Sequence, residues 1–335
     1  MDYAQNGRII DRGEGSCEVL VIGDLILDRY VSGTCSRISP EAPVPVMVEQ
    51  KVEHRAGGAA NVALNIAAFG VDLILYGIAG RDEEAEILIG LLDGIKCHVQ
   101  REEIPTTLKT RFVIDSQQVL RIDREEKQSR CVDILKHISW HSADFVVVSD
   151  YAKHFTGMIP TIIKEVVSRG AFVIVDPKSP DWEIYRGAAL ITPNLKEFEE
   201  AGGQAGAGMI DSCLALRKMY GIDSILVTMG DQGMVYSGSE GFLTDRHRQF
   251  AVADTTGAGD TAVAAFTAGL VRNLYVGDCL RGANLAAGYV CQKDGTSVVK
   301  LSGLPPSLAK LLETKGLKNG PGWTSSGRSQ KELSR

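Results

Sequence analysis

The sequence predicts an α/β fold, with a mostly parallel central sheet covered by helices and a small β-rich lid at one edge. Three observations carry that prediction. Short, β-rich apolar runs alternate with longer stretches of helical period, as parallel βαβ units require. Two segments interrupt the alternation and fit no such unit. The composition is ordinary, 335 residues with 44% hydrophobic and 23% charged, which excludes disordered, collagen-like and coiled-coil chains for the bulk of the protein and allows a sizeable core.

The apolar runs fall at 19–22, 73–76, 145–148, 172–175, 190–192 and 225–228, with helical candidates at 59–69, 83–92 and 159–168 between them. The interruptions are 29–52, which holds three prolines, and 106–125, where TLKTRFVI and QVLRID flank a Ser-Gln-Gln turn in the manner of a hairpin. Together they are expected to form the lid. Residues 1–17 read as an N-terminal extension, 18–305 as the main domain, and 315–335, rich in Gly, Ser and charge, as a disordered tail.

With 36 Lys and Arg against 42 Asp and Glu, the net charge is -6, so nucleic acid has no general electrostatic attraction to the chain and any anionic ligand must be held locally. Seven scattered cysteines without a CxxC pair argue against zinc or redox work. No basic region followed by an apolar run opens the chain and no run of eighteen apolar residues occurs, so a cytoplasmic protein that avoids the membrane is expected.

In a parallel sheet the residues just after the strands share one edge, where open α/β folds bind ligands. That edge would collect Asp24, Asp28, Asp150, Asp176, Lys178, Asn194, Glu197 and Gly230. The strongest local signal is DTTGAGDTAVAAF at 254–266, a glycine-rich turn leading into an apolar helix. Small residues let backbone amides approach an anion, and the helix N-terminus adds unpaired N–H groups and the positive end of the dipole. Asp260, in the first turn, could take a proton from an acceptor hydroxyl attacking a γ-phosphate. GxxxxGK[ST], HExxH and GxSxG are absent, and Gly257-Ala258-Gly259 lacks the third glycine of a dinucleotide fingerprint.

DTTGAGD resembles the DTxGAGD motif of the ribokinase-like carbohydrate kinases, and Gly57-Gly58-Ala59-Ala60-Asn61 resembles their N-terminal GG motif. Further stretches, including GDLILDRYVSGTCSRISPEAPVPV, AGGAANVALNIAAFG, QQVLRID, SDYAKH, DPKSPDWEIYRGA and TPNLKEFE, are similar to the heptose-phosphate kinases of that family, over about residues 18–300. The resemblance implies a three-layer ribokinase-like sandwich with the lid. It implies transfer of the ATP γ-phosphoryl group to O1 of D-glycero-β-D-manno-heptose 7-phosphate, for lipopolysaccharide precursors.

By that resemblance Asp260 is the base, and Gly257, Ala258 and Gly259 form the anion hole. Asn194, Leu195, Lys196 and Glu197, with Thr228, Gly230 and Asn284, serve ATP, and Mg²⁺ lies near Glu197. A monovalent cation, K⁺ in some relatives, would fall near Asp254, Thr256 and Gly295. Asp28, Gly57, Gly58 and Asn61 would read the sugar, with Arg111, Arg121, Lys153 and Lys178 as candidates for its phosphate. A homodimer is implied through the lid. His154 stands where the family motif has glycine, and Met229 precedes the glycine of the nucleotide segment. The HxGH-type motif of the adenylyltransferase fused to some of these kinases is missing, so the kinase step alone is expected. Two alternatives stay open: another sugar or nucleoside kinase of the family, and a nucleotide-binding regulator without catalysis.

Overall fold

The computed structural model describes residues 19–300 apart from 116, 127–132, 141–142 and 247–251, together with 302, 304 and 306. The expected extension 1–17 and tail 315–335 lie outside the described residues. The chain runs through β1 (Val19–Ile38), β2 (Pro45–Gly58), α1 (Ala59–Ala68), β3 (Leu73–Gly80), α2 (Glu83–Gly90), β4 (Lys96–Glu102), β5 (Leu108–Ile114) and β6 (Gln117–Arg124). It continues through β7 (Phe145–Ser149), α3 (Ile159–Ser168), β8 (Phe172–Asp176), β9 (Leu190–Ile191), α4 (Leu195–Glu200), α5 (Met209–Tyr220) and β10 (Ile225–Thr228). The last elements are β11 (Met234–Gly238), β12 (Gly241–Asp245), α6 (Ala258–Val271) and α7 (Val276–Val290).

The central sheet has the order β12-β11-β10-β9-β8-β7-β1-β3-β4. It is parallel from β4 to β10 and antiparallel at the β11 and β12 edge. Alternate residues of its strands feed two separate cores, because successive side chains point to opposite faces. Val19 and Val21 pack with α1, α6 and α7, whereas Leu20 and Ile22 pack with α3 and α5. Burial on both faces is why these strands read as unbroken apolar runs.

The first strand runs far beyond the expected end at Ile22. Gly23-Asp24 reads as a turn, yet Gly23 is the point at which β1 presses against the Ser149 carbonyl, where no side chain fits. Beyond it β1 leaves the central sheet and becomes a lid strand, pairing antiparallel with β2 and parallel with β5, which pairs antiparallel with β6. Two cross-strand rows run along one face of this lid: Arg55, Asp28, Lys109 and Asp123, and then Glu53, Tyr30, Arg111 and Arg121. The intervening row, His54, Arg29, Thr110 and Ile122, occupies the opposite face, as does the row beyond Tyr30, formed by Val52, Val31, Phe112 and Leu120. One face of the lid is therefore charged, and the other sets apolar side chains beside Arg29 and His54.

Candidate active site

Helix α6 opens at Gly257, whose φ of 81° is left-handed and suits glycine. A Cβ there would also meet Asn61 Nδ2 at 2.9 Å and Thr296 at 3.1 Å. The next residues, Thr261 to Leu270, are all buried, so the apolar run wedges the helix between α1 and α7 and fixes its N-terminus at the sheet edge. The first-turn amides lack intrahelical partners and carry the positive end of the dipole.

Asp260 sits in that turn, 3% exposed. Asn61 Nδ2 donates to its Oδ2 at 2.7 Å and the Tyr151 hydroxyl to its Oδ1 at 2.8 Å. Burial pushes its carboxyl up to about 6, against these two hydrogen bonds, which favour the ionised form. A carboxylate with one donor on each oxygen keeps acceptor capacity for a third, so this arrangement can take up a proton near neutral pH. Asn65, on the same face of α1, donates to Asn61 and accepts from the Val299 amide, which makes it a satisfied core amide that orients Asn61.

Near Asp260, Asp28 accepts from Arg111 Nη1 at 2.5 Å and from the Thr296 hydroxyl at 2.8 Å. Gly57 lies against Asp28, since a Cβ would come within 2.7 Å of its Oδ2. Tyr30 receives the Thr296 amide and lies beneath the guanidinium groups of Arg55 and Arg111. On the opposite flank, Asn194 and Glu197 cap α4 reciprocally, and Glu197 pairs with Lys178 Nζ at 2.8 Å. Asn194 bridges to Thr228, Gly230 has a left-handed φ of 57°, and Asn284 donates to Asp245 at 2.7 Å. Asp254 accepts from Thr256 and from the Gly295 amide. Burial would raise its carboxyl, but those hydrogen bonds outweigh it and hold it below the usual range.

The four phosphate-binding candidates are thus dispersed and each already has a carboxylate: Arg111 with Asp28, Arg121 with Asp123, Lys153 with Glu125 and Lys178 with Glu197. The sequence reading missed Tyr151, Thr296, Tyr30 and Lys109, and it placed Asp176 at the strand-end edge without giving it a role. Asp176 is half-buried, and desolvation followed by the charges of Asp260 and Glu197 drives its carboxyl well above the ordinary value. Asp24 accepts from the amides of Tyr151, Lys153 and His154, which shapes the turn that delivers Tyr151 to Asp260. SDYAKH holds the one available signal for Tyr151, a polar aromatic directly after a strand end.

Residues 17–301 match the pfkB family carbohydrate kinase model. The chain is 39% identical over 311 residues to "Bifunctional protein HldE" of Aeromonas salmonicida, covering 90% of this chain and 65% of that protein. It is 40% identical over 305 residues to the protein of the same name from Coxiella burnetii, covering 88% and 64%. The chain therefore spans just under two thirds of the length of these relatives. Among solved structures, the Arabidopsis thaliana ribokinase complexed with ribose and ATP superimposes with a TM-score of 0.70 at 22% identity, over 89% of this chain and 99% of that one. Phosphofructokinase-2 from Escherichia coli in complex with potassium gives 0.74 at 17% identity, over 89% and 99%. A buried carboxylate at a glycine-opened helix, on the strand-end edge of a fold shared with ribokinase, agrees with the family match along nearly the whole sheet. The chain belongs to the pfkB family of carbohydrate kinases and has a ribokinase-like α/β fold.

Proposed function

We propose that this protein transfers the γ-phosphoryl group of ATP to O1 of D-glycero-β-D-manno-heptose 7-phosphate, giving the 1,7-bisphosphate for ADP-heptose and lipopolysaccharide precursor synthesis. The observation that carries the reaction is Asp260, buried in the first turn of α6 between Asn61 and Tyr151. The heptose acceptor is supported by the sequence motifs and by the roughly 40% identity to the HldE proteins. The O1 hydroxyl gives its proton to Asp260 as its oxygen attacks the γ-phosphorus, and the amides of Gly257, Ala258 and Gly259 receive the charge on the transferring group. Asn61 and Tyr151 hold the carboxylate in place, and Asp28 with Gly57 and Gly58 bounds the sugar.

Asn194 to Glu197, Thr228, Gly230 and Asn284 would line the ATP side. Asp176 and Glu197 repel one another there, and such a pair of oxygen donors suits Mg²⁺, which keeps waters and phosphates as its remaining ligands. When bound, Mg²⁺ neutralises phosphate charge. Asp254, held ionised, with Thr256 and Gly295 suits K⁺. The lid leaves Val48, Val52, Val119, Leu120 and Ile122 exposed, which favours a homodimer through the lid. A cytoplasmic enzyme fits these soluble substrates, and no helix among the described residues is long and apolar enough to cross a membrane.

ADP release with ATP and a panel of heptose 7-phosphate, fructose 6-phosphate, ribose and adenosine tests the acceptor. The highest kcat/KM is expected on heptose 7-phosphate. A preference for another acceptor overturns the heptose assignment, and no ADP from any of them leaves a nucleotide-binding regulator.

A further inference from the structure

We propose that the Lys109 ammonium is the group that receives the acceptor's own phosphate and so makes this kinase select a phosphorylated sugar. The proposal rests on the reading of the protein as a sugar-phosphate kinase and specifies the recognition at that site.

Lys109 lies on β5 beside Asp28 of β1, in register, and shares a strand face with Arg111, whose guanidinium reaches Asp28. It therefore projects from the charged face of the lid. Its Nζ stands 5.1 Å from the centre of the Tyr151 ring, and the Tyr151 hydroxyl donates to Asp260. One side chain thus separates this ammonium from the catalytic carboxylate. The spacing suits a sugar whose reacting hydroxyl is at Asp260 while a phosphate at its far end meets the lid.

Pairing on that lid face leaves Lys109 over. Arg111 is paired with Asp28, Arg121 with Asp123, and Arg55 donates to the carbonyls of Asp294 and Thr296. Among the described residues Lys109 has no carboxylate within ion-pair distance, although Asp28 and Asp123 are near enough to act on it through space. Burial lowers its ionisation somewhat, so the ammonium lacks both full hydration and a carboxylate in contact. A partly buried cation without a counterion, on the lid face beside Asp28 and over the Tyr151 ring, is matched by an anionic substituent on the acceptor. The γ-phosphoryl group is a second source of the same chemistry. The lid position favours the acceptor, because the anion cradle for transfer lies at the α6 N-terminus.

The test compares the parent enzyme with Lys109→Met and Lys109→Arg. The readouts are kcat, KM for ATP, KM for heptose 7-phosphate and KM for unphosphorylated heptose, with circular dichroism and melting as folding controls. Because Lys109 pairs with no carboxylate, methionine orphans no charge and the variant should fold. Lys109→Met is expected to raise KM for the phosphosugar about tenfold to a hundredfold, the worth of one charged hydrogen bond. KM for free heptose and for ATP should change less than twofold, and arginine should recover most of the loss. An unchanged KM for the phosphosugar, or an equal loss on both sugars, overturns the proposal. A fall in kcat alone reassigns Lys109 to the phosphoryl group in transfer and overturns it too.

Calorimetric titration of heptose 7-phosphate, fructose 6-phosphate and ribose 5-phosphate, with a non-hydrolysable ATP analogue present, separates this inference from the heptose assignment. If another phosphosugar binds in a Lys109-dependent way, the lysine assignment stands and the heptose assignment falls. If no phosphosugar binds the parent enzyme, both fall.

Discussion

At the residue scale the chemistry depends on how Asp260 is solvated. Its folded pKa of about 6 lies above the ordinary 3.8, so the native state holds the proton more tightly than the unfolded chain. Ionisation therefore costs stability, a cost that builds as pH rises from about 4 through 6 and is complete above that. Asp260→Asn is expected to lose about 10²- to 10⁴-fold in kcat. Its melting temperature should exceed the parent's by a few degrees at pH 8, and the gain should vanish at pH 4. Near-native turnover would remove Asp260 from the mechanism. The parent's kcat/KM should fall below about pH 6, as the base in the free enzyme takes up its proton. Tyr151→Phe removes a hydrogen bond that favours the carboxylate, so the acidic limb of that profile should move to higher pH. A limb that stays in place, or moves lower, argues against Tyr151 as a positioning residue. Lys178 is salt-bridged to Glu197, which is proposed to serve ATP, so Lys178→Met is expected to raise KM for ATP more than KM for the sugar. Paired initial-rate series decide which substrate is affected.

At the element scale, the junction of the GAG turn with α6 is the position least tolerant of change. Gly257→Ala combines a left-handed φ with a close approach to Asn61, so urea unfolding should show a loss of about 1 to 3 kcal/mol. Asn61 would also have to shift, and turnover should drop with stability. A variant as stable and active as the parent would show that the turn relaxes freely. The lid is the second such element: one continuous β1 belongs to both sheets, so lid and core share a backbone with no hinge residue between them. Leu120 is 53% exposed on the lid face opposite the charged one. Leu120→Asp is expected to convert a dimer to a monomer in sedimentation experiments while leaving ATP binding intact. A parent protein that sediments as a monomer at micromolar concentration contradicts the dimer.

At the scale of the whole molecule, the site exists because two helix layers clamp one sheet and bring distant segments to its edge. Asp28, Asn61, Tyr151, Asp260 and Thr296 come from five separate stretches of chain, and their hydrogen bonds close only when α1, α6 and the lid dock together. Phe266 is buried in the layer of α1, α6 and α7, and it stacks on Tyr236. Phe266→Ala should cost about 3 to 5 kcal/mol, as truncating a buried aromatic does. The loss should appear in a single cooperative transition monitored by circular dichroism, and separate transitions for lid and core would contradict the coupling through β1.

The sequence alone determined the fold class, the helix start at Gly257 and the place of Asp260 in its first turn, because periodicity, glycine conformation and helix-terminal chemistry are local properties. Tertiary structure decided the rest. It carried β1 past Gly23 into the lid, because the Ser149 backbone lies where a side chain would point. It brought Tyr151 to Asp260 through a turn held by Asp24, a contact between residues 109 positions apart in sequence. It also paired four candidate cations with carboxylates and left Lys109 without one, and charge pairing of that kind is settled only by which strands lie side by side.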